Sequence, residues 1–467
     1  MEPEEMRSLE TEEATASDEY ELLSPIGFSY YTNATSMTTQ FYQTLLDRSW
    51  RRSGKLLYRP NQRKSCCPHY TIRLDSTQFR PSRDQRQAVN RFNKHITGDS
   101  YLKQAARLYP RSREETKKRD NEFNLTERIH EAEYDKLKTP PEPAHKLIVT
   151  LEEDNFTEEK YLVYNNYQQV VHGDGPEDRT RRSFERFLCS SPLKREVMLS
   201  PDGRQRRLGS YHQCYRLDGQ LVAIGVLDLL PECVSSVYFL YHESIHKFAP
   251  GKLGALHEIS LAMEDGYRWW YPGFYIHSCP KMRYKIDYMP QYILDPDNLS
   301  WYPVDQSILS VLDRRPYVSL GTALSESAPS KPQQDTMDYA LTPAADANTT
   351  NLLGDSENDR DMDTDGSVDE DEDENQDENE NGHGSLFYSR MPGIPSLYEM
   401  EKVNMDRISL KIFASGPLFE TSDLVNWKTS RVSDLSGIKH SVAELVAALG
   451  PDLKELICLD LVRHRRA

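Results

Sequence analysis

The run LVAIGVLDLL, residues 221–230, constrains this chain more than any other stretch. It is apolar apart from Asp228, opens after an Asp218-Gly219 turn and stops at Pro231, so it reads as a buried central strand rather than a helix. Residues 237–241 repeat the pattern after the polar Ser235 and Ser236, which predicts an antiparallel hairpin with that strand. Farther on, Leu253, Leu256, Ile259 and Met263 recur at three- and four-residue spacing up to Gly266, a residue suited to a left-handed helix cap. An amphipathic helix over 252–265 follows. A third strand near 274–276 then delivers His277, Cys279, Lys281, Arg283 and Lys285 to one edge of the layer, where chemistry is expected.

The chain has 467 residues, enough for two or three cores, yet only 37% of them are hydrophobic, so part of it is expected to remain unfolded. No stretch reaches the ~18 apolar residues of a membrane span, and the acidic opening MEPEEMRSLETEE is unlike a secretory leader. These features predict a soluble protein with no membrane partner, cytoplasmic, with the nucleus as a second compartment. Seven cysteines without a regular framework fit a reducing environment. The net charge of −17 conceals a sorting along the chain. Between residues 355 and 380 fifteen acids face one arginine, net −14, whereas between 48 and 119 twenty lysines and arginines face five acids, net +15. The basic part suits a polyanion.

Taken in order, residues 1–23 read as a disordered acidic tail and 24–137 as a small basic, cysteine-containing domain. Within it, Met37, Phe41 and Leu45 share a helical face capped by Thr35 or Ser36. The proline-rich 138–146 reads as a linker. Residues 147–316 alternate strand, helix, hairpin, helix and strand, which predicts an α+β layer around a mixed, mostly antiparallel sheet. Residues 317–384 read as a disordered acidic low-complexity insertion. Residues 385–467 read as a helical extension, with helices at 438–449 and 453–462, that docks back onto the second domain.

Two blocks, SMTTQFYQTLLDRSWRRSGKLLYRP…CCPHYTIR and VAIGVLDLLPECVSSVYF…GFYIHSCPKMRYK, resemble eukaryotic arginyl-tRNA-protein transferases, in detail a fungal one. The likeness covers about 24–96 and 147–305. It implies an acetyltransferase-like (GNAT) second domain and transfer of arginine from arginyl-tRNA onto proteins with N-terminal Asp, Glu or oxidised Cys, marking them for ubiquitin-dependent degradation. Arginyl-tRNA, proteins with acidic N-termini and the ubiquitin-ligase machinery are the partners so implied.

The activated ester and a partly neutral α-amine make an enzyme nucleophile unnecessary, so the chain should work by positioning and charge complementarity. Asp228 and Glu232 are the candidate acids at the end of the central strand. His277, Lys281, Arg283, Tyr284 and Lys285, with Arg51, Arg52 and Lys55, are the candidates for substrate and tRNA binding. Asp228 reads equally as a turn cap, and KMRYK as a solvated face. His257 and Glu258 read as a solvated flank of the amphipathic helix.

In the family resembled, a Cys-Gly-Tyr-Cys motif joins the later adjacent cysteine pair in holding zinc or an iron-sulfur cluster. Here SPIGFSYYTNATS contains no cysteine, so Cys66 and Cys67 are half of a ligand set, with His69 as a third candidate. Two other readings stand beside the transferase. One is an acyl-CoA-dependent N-acetyltransferase with Gly251 to Gly254 cradling a pyrophosphate. The other is a catalytically impaired RNA-binding or regulatory protein.

Overall fold

A computed structural model describes residues 29–199, 203–327 and 385–462. The expected acidic tail and most of the acidic insertion lie outside these residues.

The apolar, β-branched runs form the strands expected of them and two sheets organise the first part of the chain. Strands β1 (Ser29–Asn33), β2 (Arg51–Ser53) and β3 (Leu56–Pro60) make a small antiparallel sheet in the order β1-β3-β2. The large sheet begins with β4 (Tyr70–Asp75) and β5 (Leu147–Glu153) and continues through β6 (Glu196–Leu199), β7 (Gln205–Leu217), β8 (Gln220–Leu229) and β9 (Cys233–Tyr241). It is completed by β10 (Trp269–Tyr271), β11 (Phe274–Tyr275), β12 (Gln291–Leu294) and β13 (Trp301–Pro303). Its order is β13-β12-β4-β10-β9-β8-β7-β5, with β11 against β4 and β6 against β7. Every pairing in it is antiparallel except β10 with β9. The mixed, mostly antiparallel α+β class is therefore as read from the sequence.

Strand β8 is buried from Leu221 to its end because both faces are covered. On one face Val222, Leu227 and Leu229 share a core with Leu253, Leu256 and Ile259 of the helix Pro250–Asp265, here called the site helix. On the other, Leu221, Ile224 and Val226 meet Val163, Tyr164 and Phe184. Gly266 ends the site helix at φ 75°, the left-handed cap that its lack of a β-carbon permits.

The divisions along the chain differ from those read in the sequence. Strand β4 lies between β10 and β12, so the basic N-terminal residues and the second segment share one sheet and one compact unit. The 138–146 stretch is not a free linker: Ala144 N–H donates to Thr97 O at 3.0 Å and His145 N–H to Ile96 O at 2.9 Å, pinning it along the helix Arg83–Leu108. A β-carbon on Gly98 would come within 2.8 Å of Ala144, so glycine is what lets the two run together. Thr38, not Thr35 or Ser36, caps the first helix, Thr39–Leu46. Order also continues past residue 316, with Val318 and Leu320 buried and a helix over Leu320–Ser327.

The C-terminal residues are mixed rather than helical. The helix Ile438–Leu449 forms, but Leu453 falls in a 3-10 turn and Cys458–Asp460 is a strand, β16, that pairs with β14 (Ser409–Lys411), whose other neighbour is β15 (Phe419–Glu420). They dock chiefly on the N-terminal residues. Val442, Val446 and Trp427 share a core with Leu45, Leu46 and Trp50, and Trp50 Nε1 donates to Ala448 O at 3.1 Å.

Candidate functional site

The adjacent arginines of β2 divide into two roles. Arg52 is buried and its Nε and Nη2 donate to the two oxygens of Asp228 at 2.7 and 2.6 Å. Ser210, opposite Asp228 in the β7–β8 register, donates a third bond at 2.5 Å. Asp228 has no exposed surface, so its oxygens are committed to a structural ion pair. The structure thus places two of the candidates, Asp228 and Arg52, in a buried pair with each other.

Arg51 is equally buried, at 6% exposed, but its Nε and Nη2 have no hydrogen-bond partner. Only Nη1 is engaged, with Trp50 O at 2.8 Å, and the guanidinium lies 4.9 Å from the Phe274 ring centre and 5.8 Å from that of Tyr271. A buried guanidinium with open donors is a site for an anion.

Lys285 is the second cation at this place. The turn Pro280–Arg283 and the 3-10 turn Tyr284–Asp287 rotate it away from its neighbours, and its Nζ donates to Phe274 O at 2.8 Å. Burial, then the nearby charge of Arg51, lowers its pKa to about 8. Lys281, Arg283 and Tyr284 stay exposed.

Facing this pair is Glu258, which the amphipathic pattern assigns to a solvated flank. It lies on the site helix, 1% exposed, and accepts bonds from Trp270 Nε1 at 2.8 Å and Ser236 Oγ at 3.3 Å. Burial raises its pKa to about 7, against the lowering pull of those two donors and of Lys285. A signal for it was present: among residues 253–263 it is the one acid, in a stretch with no lysine or arginine. The site therefore gathers one buried carboxyl, Glu258, and two cations, Arg51 and Lys285, with the Phe274 and Tyr271 rings against Arg51 and Trp270 bonded to Glu258.

The remaining candidates lie apart. His277 has both nitrogens occupied, by Tyr275 Oη at 2.6 Å and Asp313 at 2.7 Å, and so props the turn rather than binding. Glu232 is exposed at the β8–β9 turn, and Lys55 is exposed at the β2–β3 turn. Of the basic stretch, Arg59 is buried on Ala448 O and Pro392 O, and Arg48 pairs with Asp452. Arg83, Arg86 and Arg91 remain exposed on the helical segment before Gly98, whose φ of 74° kinks the run, and Lys103 and Arg107 on the segment after it.

None of the seven cysteines is in a disulfide. The Cys66 and Cys67 sulfurs are 3.0 Å apart, and among the described residues no third His, Cys, Asp or Glu joins them at ligand distance. The residues present do not make the closed four-ligand set of a structural zinc site. The pyrophosphate cradle is not supported either. Gly254 faces the Phe239 ring, which an added β-carbon would meet at 2.2 Å, so its glycine serves helix-on-strand packing, and Lys252 is tied to Asp84.

Comparison with known proteins bears on the same residues. Residues 4–87 match the family model "Arginine-tRNA-protein transferase, N terminus", and residues 159–295 match that of the C terminus. Arginyl-tRNA--protein transferase 1 of Drosophila melanogaster is 28% identical over 62% of this chain and 81% of its own length. That of Saccharomyces cerevisiae is 29% identical over 57% of this chain and 51% of its own, so the match spans about half of the yeast protein. A Pseudomonas fluorescens aspartate/glutamate leucyltransferase is 28% identical over 54% of this chain and 80% of its own length.

Proposed function

We propose that this chain, which matches the family models of both the N and the C terminus of arginine-tRNA-protein transferases, transfers arginine from arginyl-tRNA to the free α-amino group of proteins beginning with Asp, Glu or oxidised Cys. It is an aminoacyltransferase, and its products are marked for ubiquitin-dependent degradation in the cytoplasm or nucleus. The bacterial relative's name pairs aminoacyl transfer with acidic acceptors, which agrees with this choice of substrate.

The observation that carries the reading is the open guanidinium of Arg51 beside Lys285 and across from Glu258. An acidic N-terminal residue is itself a close pair of opposite charges, an α-ammonium and a side-chain carboxylate. Arg51 and Lys285 receive the carboxylate and Glu258 faces the amine. The amine, once neutral, attacks the ester carbonyl of arginyl-tRNA. The new C–N bond forms, the bond to the ribose oxygen breaks, and the proton lost by nitrogen ends on that oxygen. No enzyme-bound acyl group is needed, and the site contributes position and field. The exposed basic face of the helix Arg83–Leu108 serves the tRNA backbone.

We also read the large sheet as acetyltransferase-like: β9, the site helix and β10 form a crossover with β10 parallel to β9, which supports that fold. Among the described residues no helix is long and apolar enough to cross a membrane.

Labelled arginyl-tRNA supplied with peptides beginning Asp, Glu, Ala or N-acetyl-Asp, beside labelled acetyl-CoA, tests the reading. Label is expected on the Asp and Glu peptides alone and only from arginyl-tRNA. Equal labelling of the Ala peptide would remove the charge-pair site, and labelling from acetyl-CoA would replace the reaction.

A further inference from the structure

On the far side of the site helix, His257, His130 and Glu133 bring one donor atom each within 4.8 Å of one another. The two imidazoles stand edge to face with centres 5.4 Å apart, and Glu133 Oε1 lies 2.5 Å from His130 Nδ1. His257 is 2% exposed, and its Nδ1 has no hydrogen-bond partner. An unmet polar nitrogen at that depth carries a desolvation cost that a ligand would remove. His130 is also held from behind: its Nε2 meets Glu264 Oε1 at 2.9 Å, and Ser260 Oγ donates to that oxygen at 2.6 Å.

We propose that His130, Glu133 and His257 bind a divalent transition-metal ion of the zinc class. Two imidazoles and one carboxylate are the borderline nitrogen and oxygen donors that zinc takes, whereas calcium and magnesium favour all-oxygen sets. The carboxylate behind His130 is the second feature of such sites: it fixes which nitrogen carries the proton and turns the other lone pair toward the ion. Glu264, steadied by Ser260, fills that role. The ion joins the turn at residues 130–133, where Glu133 also bridges Leu147 of β5, to the helix that carries Glu258. It therefore fixes the seat of the substrate-facing acid without touching substrate. The thiols of Cys66 and Cys67 take no part.

The test uses the full chain with Cys66→Ser and Cys67→Ser in place, stripped with chelator and titrated with Zn²⁺ and, separately, Co²⁺. Zinc is expected to bind stoichiometrically and raise the melting temperature. Cobalt is expected to give visible d–d bands without thiolate charge transfer. Adding Glu133→Gln or His130→Gln should abolish both signals. Glu264→Gln, at a partly exposed position that leaves all three ligands in place, should weaken zinc binding by about 10- to 100-fold. Absence of zinc binding in the serine background, unchanged affinity in Glu133→Gln and Glu264→Gln, or a thiolate band with cobalt would each overturn the site.

Discussion

Replacing Arg51 and Arg52, one at a time, with methionine separates stability from function at neighbouring positions. In Arg52→Met, Asp228 loses its two guanidinium bonds and is left with Ser210 alone in a place with no exposed surface. Removing one partner of such a pair costs about 3–5 kcal/mol. In Arg51→Met no ion pair is broken. The attraction of the buried guanidinium to the Phe274 and Tyr271 rings is worth about 2 kcal/mol and its Nη1 bond to Trp50 O about 0.5–1.5 kcal/mol, while the two unpartnered nitrogens that disappear return a desolvation cost of about 1–3 kcal/mol. The terms oppose one another, and Arg51→Met is therefore expected within about 2 kcal/mol of wild-type stability. Its effect falls on the acceptor: a charge-assisted bond of about 1.5–3 kcal/mol corresponds to a loss of roughly 10- to 150-fold in kcat/KM for Asp- and Glu-started peptides, with tRNA affinity unchanged. Urea midpoints and transfer kinetics on the same preparations measure both. A large drop in the urea midpoint for Arg51→Met, or transfer within twofold of wild type, would refute the assignment.

Three further outcomes follow from the same geometry. Lys285 has a folded pKa of about 8, below its unfolded value, because of burial and Arg51, with Glu258 and Cys279 pulling the other way. Between about pH 8 and 10.4 the unfolded chain holds more protons at this group, so stability from it rises with pH across that window; urea midpoints should show the rise, and Lys285→Met should remove it. Acceptor KM should climb as pH passes about 8, where the folded protein loses the cation. Arg86→Glu with Arg91→Glu should weaken arginyl-tRNA binding and flatten its salt dependence by about two counterions, without moving the urea midpoint; an unchanged salt slope would place the tRNA track elsewhere. Gly254→Ala drives a β-carbon into the Phe239 ring and is expected to cost about 1–3 kcal/mol, read as a lowered urea midpoint, and a variant as stable as wild type would show that the helix can shift.

The elements around β8 were legible because apolar runs and turn residues act locally. LVAIGVLDLL needs cover on both faces, and the amphipathic run before Gly266 supplies it on one. The place of β4 was not legible: YTIRLD announces a strand but not its partners, which lie near residues 270 and 292, some two hundred positions away. The site was half legible for the same reason. Alternating cations in KMRYK look alike, and only the 3-10 turn after Arg283 separates inward Lys285 from its exposed neighbours. Asp228 stands out as the one acid in an apolar strand, and that same isolation is why it needs Arg52. Glu258 is the one acid among residues 253–263, but the amphipathic pattern puts position 258 on a flank, whereas the helix is covered almost all round, by β9 on one side and by the segment near Leu125 and Ile129 on another.

The pairing of Arg52 with Asp228 also bears on what Arg51 can do. The site takes Arg51 from a three-residue strand of the small sheet and Glu258 and Lys285 from segments some two hundred residues later, so something must hold β2 in place against β8 of the large sheet. A buried ion pair is a poor source of net stability, because desolvating both charges offsets most of their attraction, but its bidentate geometry permits a single docking. Replacing both partners with apolar residues, Arg52→Met with Asp228→Leu, should thus recover most of the stability lost in Arg52→Met alone while relaxing the position of β2. Displacement of Arg51 by about 1 Å is enough to lower transfer on the order of a hundredfold. The double variant is therefore expected near the wild-type urea midpoint and far below wild-type kcat/KM for acidic acceptors, with its loss not deepened further by Arg51→Met. Wild-type kinetics in a stable double variant would show that apolar packing alone holds β2 and that the ion pair does not set the geometry of the site.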